Sequence, residues 1–128
     1  MRIFQNRSVA RAARKESLSD DACRKAIDDA ETGLIDADLG GGLIKQRIAR
    51  KGGGKSGGYR SIILYRRGDL AIMLYLFAKS GKANVTAAER EALGLLAREL
   101  QSLSLGQLRE LVRTKGWREI SNGPEGQI

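Results

Sequence analysis

Leu70 to Ala78 reads Leu-Ala-Ile-Met-Leu-Tyr-Leu-Phe-Ala, apolar at odd and even positions alike. Its β-branched and aromatic content, bounded by turn residues, marks a strand. A strand with two apolar faces has to be covered on both, so it belongs at the centre of a sheet with packing above and below. Tyr59 to Tyr65 is of the same type, and Arg66-Arg67-Gly68-Asp69 between the two is a hairpin signal. Leu43 to Arg50 alternates, with Ile44 and Ile48 on one face and Lys45, Arg47 and Ala49 on the other. A glycine-rich loop, Gly52 to Gly58, joins it to the next strand, which predicts a three-stranded antiparallel meander.

Helical patterns flank the meander. Ser8 precedes a short one, with Val9, Ala12 and Ala13 on one side and Arg7, Arg11, Arg14 and Lys15 on the other. Ser17 and Asp20 have the spacing of a capping box, ahead of Ala22, Cys23, Ala26, Ile27 and Ala30 on one face, with Gly33 as the stop. Thr86 with Glu89, and Ser104 with Gln107, open two further helices, and Gly116 ends the second. Arg2 to Phe4 suggests an edge strand and Trp117 to Ile120 a short extra one. The expected fold is α+β: a small antiparallel sheet of three to four strands, an N-terminal helical hairpin and C-terminal helices. Residues 1–120 form one domain on this reading, and 121–128, which hold the only proline, a flexible tail.

Charge is placed unevenly. Residues 41–82 carry ten cations (Lys45, Arg47, Arg50, Lys51, Lys55, Arg60, Arg66, Arg67, Lys79 and Lys82) against Asp69 alone, a balance of +9 in a chain whose total is +8. Charge this concentrated attracts polyphosphates, of which nucleic acid is the commonest; the bland alternative is a solvated face that serves solubility. The chain has no histidine, which removes the usual base at neutral pH and imidazole-built zinc sites. Catalysis would run on arginine, lysine, tyrosine, carboxylates or the backbone. No metal and no cofactor are expected. Cys23 is the single cysteine and reads as a small buried hydrophobe. No internal disulfide is possible, no apolar run reaches the length of a membrane span, and Met1 to Asn6 has no signal-peptide core, so the expected location is cytoplasmic.

Gly54-Lys55-Ser56 looks like the end of a phosphate-binding P-loop, but the position five before Gly54 is Ala49, and the segment leads into a strand rather than a helix. What survives is geometric. Glycines leave backbone amides open to a phosphate chain, and Lys51 and Lys55 flank them. On the strands, Lys45 and Arg47 share a face. If Arg67-Gly68 is a two-residue loop, Arg66 lies opposite Asp69 and Arg60 opposite Tyr75, which puts Arg60 on a face with Tyr75, Phe77 and Lys79; one more loop residue flips the assignment. Cations with aromatics between them suit single-stranded RNA. The competing reading of Tyr75 and Phe77 is plain core packing, which is favoured for Phe77.

The run from Gly33 to Arg47 (Gly-Leu-Ile-Asp-Ala-Asp-Leu-Gly-Gly-Gly-Leu-Ile-Lys-Gln-Arg), with Gly54 to Arg60 and Phe77-Ala78-Lys79-Ser80, resembles one branch of the RelE-like toxins of bacterial type II toxin–antitoxin systems. The likeness covers roughly Arg2 to Leu100. It implies a small α+β protein that cleaves messenger RNA, mostly on the ribosome and without a metal. In that chemistry the nucleotide's own 2′-hydroxyl attacks the adjacent phosphate and basic side chains stabilise the transition state. A cognate antitoxin protein is implied as partner. Carried over by position, Arg60, Lys79 and Tyr75 are the catalytic candidates, and Lys45, Arg47, Lys51, Lys55 and Arg66 the RNA-binding ones. Many such toxins add a tyrosine or histidine near the C-terminus; here Thr86 onward holds neither. The alternatives are a gyrase inhibitor of the same fold and a non-catalytic nucleic-acid-binding accessory protein.

Overall fold

The computed structural model describes residues 1–50, 54–79, 81–82 and 84–120, with backbone alone at residue 50 and at 54–57. The elements follow in the order β1 (Arg2–Gln5), α1 (Arg7–Lys15), α2 (Asp20–Glu31), β2 (Ala37–Gly40), β3 (Leu43–Arg50), β4 (Gly54–Arg66), β5 (Leu70–Ala78), α3 (Ala87–Gln101), α4 (Leu105–Thr114) and β6 (Arg118–Ile120). The expected tail, 121–128, lies outside the described residues.

The sheet corrects the expected fold. It has six strands in the order β2-β3-β4-β5-β1-β6 and is mixed, not an antiparallel sheet of three to four strands. The chain opens with the strand suggested at Arg2 to Phe4 rather than directly with a helical hairpin, and that strand is internal rather than an edge. β1 runs parallel to β5, from Arg2 opposite Leu70 to Gln5 opposite Met73, and β6 pairs antiparallel with β1 as the true edge. β2 adds the opposite edge beside β3. Strands of three or four residues carry little periodicity, so β1 and β6 could be suggested from the sequence but not placed, and β2 was missed. The place of β1 is set by the demand that the free edge of buried β5 find partners for its amides and carbonyls.

Two helical layers answer the double-faced strand. On one face, Val9 and Ala13 of α1 and Cys23, Ala26, Ile27 and Ala30 of α2 pack on Ile3, Ile44, Ile48, Tyr59, Ile63, Ala71 and Met73. On the other, Ala97 and Leu100 of α3 and Leu108 of α4 pack on Phe4, Leu43, Ile62, Leu64, Ile72 and Leu74. The capping boxes at Thr86–Glu89 and Ser104–Gln107 both form. The first two helices start from other caps than expected. Asn6, not Ser8, accepts from the Val9 amide, and Ser19, not Ser17, accepts from Ala22. Ser17 instead turns the chain between α1 and α2 at φ 54.

The β4–β5 hairpin departs from the expected register twice. Arg66 pairs with Leu70, so the loop is Arg67-Gly68-Asp69, with Gly68 at φ 76 supplying the left-handed position that such loops require. That extra residue flips the parity. Leu74 then bulges, because Ile62 pairs with Tyr75 while Ile63 pairs with Met73, and the parity flips back. Arg60 therefore sits opposite Phe77, not Tyr75, yet shares a face with both. The Ser61 hydroxyl donates to the Tyr75 carbonyl at 2.8 Å beside the bulge.

Candidate active site

Register places three predicted cations on one face of two paired strands. Arg47 lies directly opposite Arg60, and Lys45, two residues along β3, shares their face. Between them sits a carboxylate that the sequence reading did not single out. Asp36 approaches Arg47 Nε at 3.1 Å, Arg60 Nε at 3.5 Å and Lys45 Nζ at 3.9 Å. The Arg60 side chain is only 6% exposed and that of Asp36 18%, whereas Arg47 is half exposed. One carboxylate thus serves three cations, leaving the cluster with an excess of two positive charges. Its contact with Arg47 is a hydrogen bond; the other two are longer and purely ionic.

Asp36 is held from the opposite face of the sheet. Gln46 faces the α2 layer and is 2% exposed. Its amide nitrogen donates to the carbonyls of Ala26 (2.8 Å) and Leu34 (3.0 Å), and its oxygen accepts from the Asp36 amide at 2.8 Å. A buried carboxamide with all three partners made is a rigid support. It ties α2, the linker to β2 and β3 together and fixes where the Asp36 carboxylate lies. Beside it, Asp29, Gly33, Leu34, Ile35, Asp36, Gln46 and Arg47 line a surface depression of about 340 Å³. Leu34 is 65% exposed at its rim.

Tyr75 occupies the same face as Arg60 but is committed elsewhere. Its hydroxyl donates to Glu89 at 2.9 Å, its ring lies 5.5 Å from that of Phe77, and the Lys82 ammonium stands 5.7 Å from the ring centre. Glu89 also accepts from Lys82 and from the Thr86 amide, and these bonds, that from Lys82 foremost, hold its carboxyl down at about 2. Lys82 is pushed up in return by the same contact. Glu89 therefore acts as an acceptor that orients the phenol, not as a base. Phe77 is buried, as the core-packing reading expected.

The other candidates are dispersed. Lys79 is exposed just beyond β5, its amide donating to the Gly58 carbonyl at 3.2 Å, and so stands at the end of the sheet nearest Arg60 and Phe77. Lys51 lies outside the described residues. Lys55 is on β4 in backbone only, so the proposed phosphate contact of that loop also falls outside what the structure describes. Arg66 is at the far end of β4, roughly 20 Å from Arg60 at strand rise, and pairs with Asp69 at 2.8 Å. It is not part of the cluster. Sequence reading missed Asp36, Gln46 and Glu89. A polar Gln46 at an inward position between Ile44 and Ile48 was the available signal; Asp36 lies just outside the cation-rich window, and Glu89 was read as a helix cap alone.

Among the described residues no group of three or more histidine, cysteine, aspartate or glutamate side chains is placed to hold a metal ion. None of the described helices is long and apolar enough to cross a membrane. No curated relative matches the sequence. Residues 1–120, the whole of the sheet and both helical layers, match the family described as the RelE toxin of the RelE/RelB toxin–antitoxin system. The chain belongs to the RelE toxin family.

Proposed function

We propose that the protein is a metal-independent messenger RNA endonuclease that acts on the ribosome and is neutralised by a cognate antitoxin. The observation that carries this reading is the convergence of Lys45, Arg47 and Arg60 on the single Asp36 carboxylate. Groups arranged to hold one oxyanion from three sides suit a phosphate as well, and arginine binds either anion with paired donors. The scissile phosphate takes the place of the Asp36 carboxylate. Attack by the 2′-hydroxyl forms the 2′-O–P bond while the P–O5′ bond breaks, leaving a 2′,3′-cyclic phosphate and a 5′-hydroxyl. Charge accumulates on the non-bridging oxygens in the transition state, where Arg60, Arg47 and Lys45 lie. Each well-placed donor in such an arrangement contributes a rate factor of about 10² to 10³.

Arg60 is the principal catalytic group on this reading. Lys79, exposed at the same end of the sheet, closes on the phosphate from solvent. Tyr75, oriented by Glu89, is the candidate for moving a proton, and its half-buried ring offers a stacking surface at the edge of the cluster. Lys45, Arg47, Lys51 and Lys55 hold the strand. The depression beside Asp36 is of a size to take a base against Leu34 and Ile35.

The test is to incubate the purified protein with translating ribosomes and map messenger RNA 5′ ends. New 5′-hydroxyl ends are expected with the wild type and none with Arg60→Ala, whose folding is checked by thermal unfolding because the residue is buried. Absence of cleavage by the wild type, together with inhibition of gyrase supercoiling, would reject the nuclease in favour of a topoisomerase poison.

A further inference from the structure

Acidic side chains gather where the basic ones do not. Residues 28–38 hold Asp28, Asp29, Glu31, Asp36 and Asp38 and no cation, in a chain whose net charge is +8. Three of these are engaged: Asp36 with the cluster, Asp29 with Lys25, and Glu31 with the Tyr65 hydroxyl and the Gly68 amide. Asp28 and Asp38 are exposed and, among the described residues, take part in no ion pair. Between them in the chain, Leu34 and Ile35 expose their apolar side chains. Exposed apolar groups rimmed by polar ones mark an interaction surface. The sign of this rim repels a phosphate chain and attracts a basic one.

The same place holds an uncovered sheet edge. β2 pairs with β3 only from Leu43 to Lys45. Among the described residues no strand lies beside β3 from Gln46 onward on that side, and no backbone hydrogen bond joins the linker of residues 33–36 to it. The Tyr65 amide donates to the Gly42 carbonyl at 2.8 Å, and the alternation of an antiparallel ladder then turns Ile44 and Gln46 towards β4. By the same alternation the amide and carbonyl of Arg47 face outward. An edge of this kind is a template for an extended segment of another chain. The depression of about 340 Å³ lies against it, with Gln46 and Arg47 on one side and Leu34 and Ile35 on the other. A segment laid along the edge seats an apolar side chain in the depression and brings its cations to Asp28 and Asp38. RNA carries no peptide groups to match the edge, so the surface suits a protein. Such an occupant also shuts the site, because Arg47 supplies both the edge and one of the cations on Asp36. A partner that stays bound during cleavage has no room there.

We propose that the open edge of β3 beyond Lys45 takes an added strand from a basic, apolar-bearing segment of the antitoxin, which neutralises the protein by closing the way to the cluster. The proposal rests on the reading of the cluster as an RNA site with an antitoxin that blocks it, and adds where and by what chemistry the block is made. The probe is a short peptide alternating lysine with valine and leucine, labelled for anisotropy and used with the full-length protein. Two further forms carry N-methyl groups on alternate backbone amides, one form for each edge of the peptide strand. Only one edge of an added strand faces β3, so one form should lose binding by about tenfold or more while the other stays within about twofold. Hydrogen exchange at the Arg47 amide should slow when the unmethylated peptide binds. Asp28→Asn combined with Asp38→Asn should weaken the peptide by roughly three- to tenfold with Tm unchanged, since asparagine keeps an acceptor for the Gly40 amide. Bound single-stranded RNA should be displaced by the peptide. Equal binding of the two methylated forms, or of a counterpart with glutamate in place of lysine, would overturn the proposal. RNA and peptide bound together would also overturn it, and would mark a ribosomal protein as the occupant instead. If the peptide adds to the edge and displaces RNA while the wild type cleaves no messenger RNA, the endonuclease reading fails and the docking edge stands.

Discussion

Asp36→Asn tests the idea that a carboxylate holds the place of the phosphate. At an effective dielectric of about 20, unit charges 3–4 Å apart interact by about 4–5 kcal/mol, and Asp36 faces cations at 3.1, 3.5 and 3.9 Å. Desolvation cancels most of that gain for the buried Arg60, and solvent screens the half-exposed Arg47. A net loss of about 1–3 kcal/mol remains, chiefly because Arg60 keeps its charge without a partner. For a domain of this size that corresponds to a fall in Tm of about 4–12 °C. Binding should move the other way. One fewer negative charge in the cluster makes single-stranded RNA bind more tightly, with a salt slope steeper by about 0.7. Added RNA or tripolyphosphate should then restore more of the lost Tm in the variant than it adds to the wild type. The assays are thermal unfolding with and without polyphosphate, and anisotropy with labelled RNA. A folded variant with unchanged Tm and affinity would refute the reasoning; so would weaker binding, since the carboxylate would then orient the cations for RNA instead of competing with it.

Gln46→Ala removes three hydrogen bonds of a buried amide and should cost about 2–4 kcal/mol in urea unfolding, while lowering RNA cleavage by loosening the stretch of β3 that presents Lys45 and Arg47; a loss below about 1 kcal/mol would show that water replaces the amide. Lys79→Ala should reduce the single-turnover cleavage rate more than RNA affinity, and equal losses would make Lys79 a binding residue only. Glu89 is depressed to about 2, so its bonds to Lys82 and Tyr75 are fully present above the ordinary carboxylate range and are lost as pH falls through about 2; carboxyl carbon shifts in an acid titration by NMR check this, and a midpoint near 4.5 would reject it. Burial pushes the Cys23 thiol up to about 11. Its raised value means the contribution is whole below the unfolded thiol range and declines as pH rises through about 11, by about 2–3 kcal/mol in all; urea unfolding should show that decline in the wild type and not in Cys23→Ala.

The long elements were legible in the sequence because each carries its own signal. The double-faced apolar run of β5, the alternation of β3 and the capping boxes of α3 and α4 all report on neighbours a few residues away. The short strands were legible only in part. Arg2 to Phe4 and Trp117 to Ile120 could be suggested as strands, but their neighbours in the sheet could not, and Ala37–Gly40 was missed, because pairing and not local pattern places them. The site divides similarly. Lys45 could be placed with Arg47, and Arg60 with Tyr75 and Phe77, and these faces were right although the β4–β5 register was not; the pairing of Arg47 with Arg60 that joins them came only from the structure. Two errors, a loop one residue longer and a bulge at Leu74, cancelled. Asp36 could not be placed by parity, since it enters from a linker that Gln46 anchors through the sheet.

The parallel pairing of β1 with β5 also orders assembly in time. Arg2 meets Leu70 across a chain segment whose closure costs about 4 kcal/mol in entropy, whereas β4 meets β5 across three residues. Hydrogen-exchange pulse labelling should therefore find β3, β4 and β5 protected first, with β1 and β6 following. The cations of the cluster belong to the early part. Ile3 and Phe4, among the most buried side chains, belong to the late part. The binding face is laid down before the sheet that makes it stable is complete, so slowing the β1 step should accumulate an intermediate that already attracts polyanions and melts far below the finished protein.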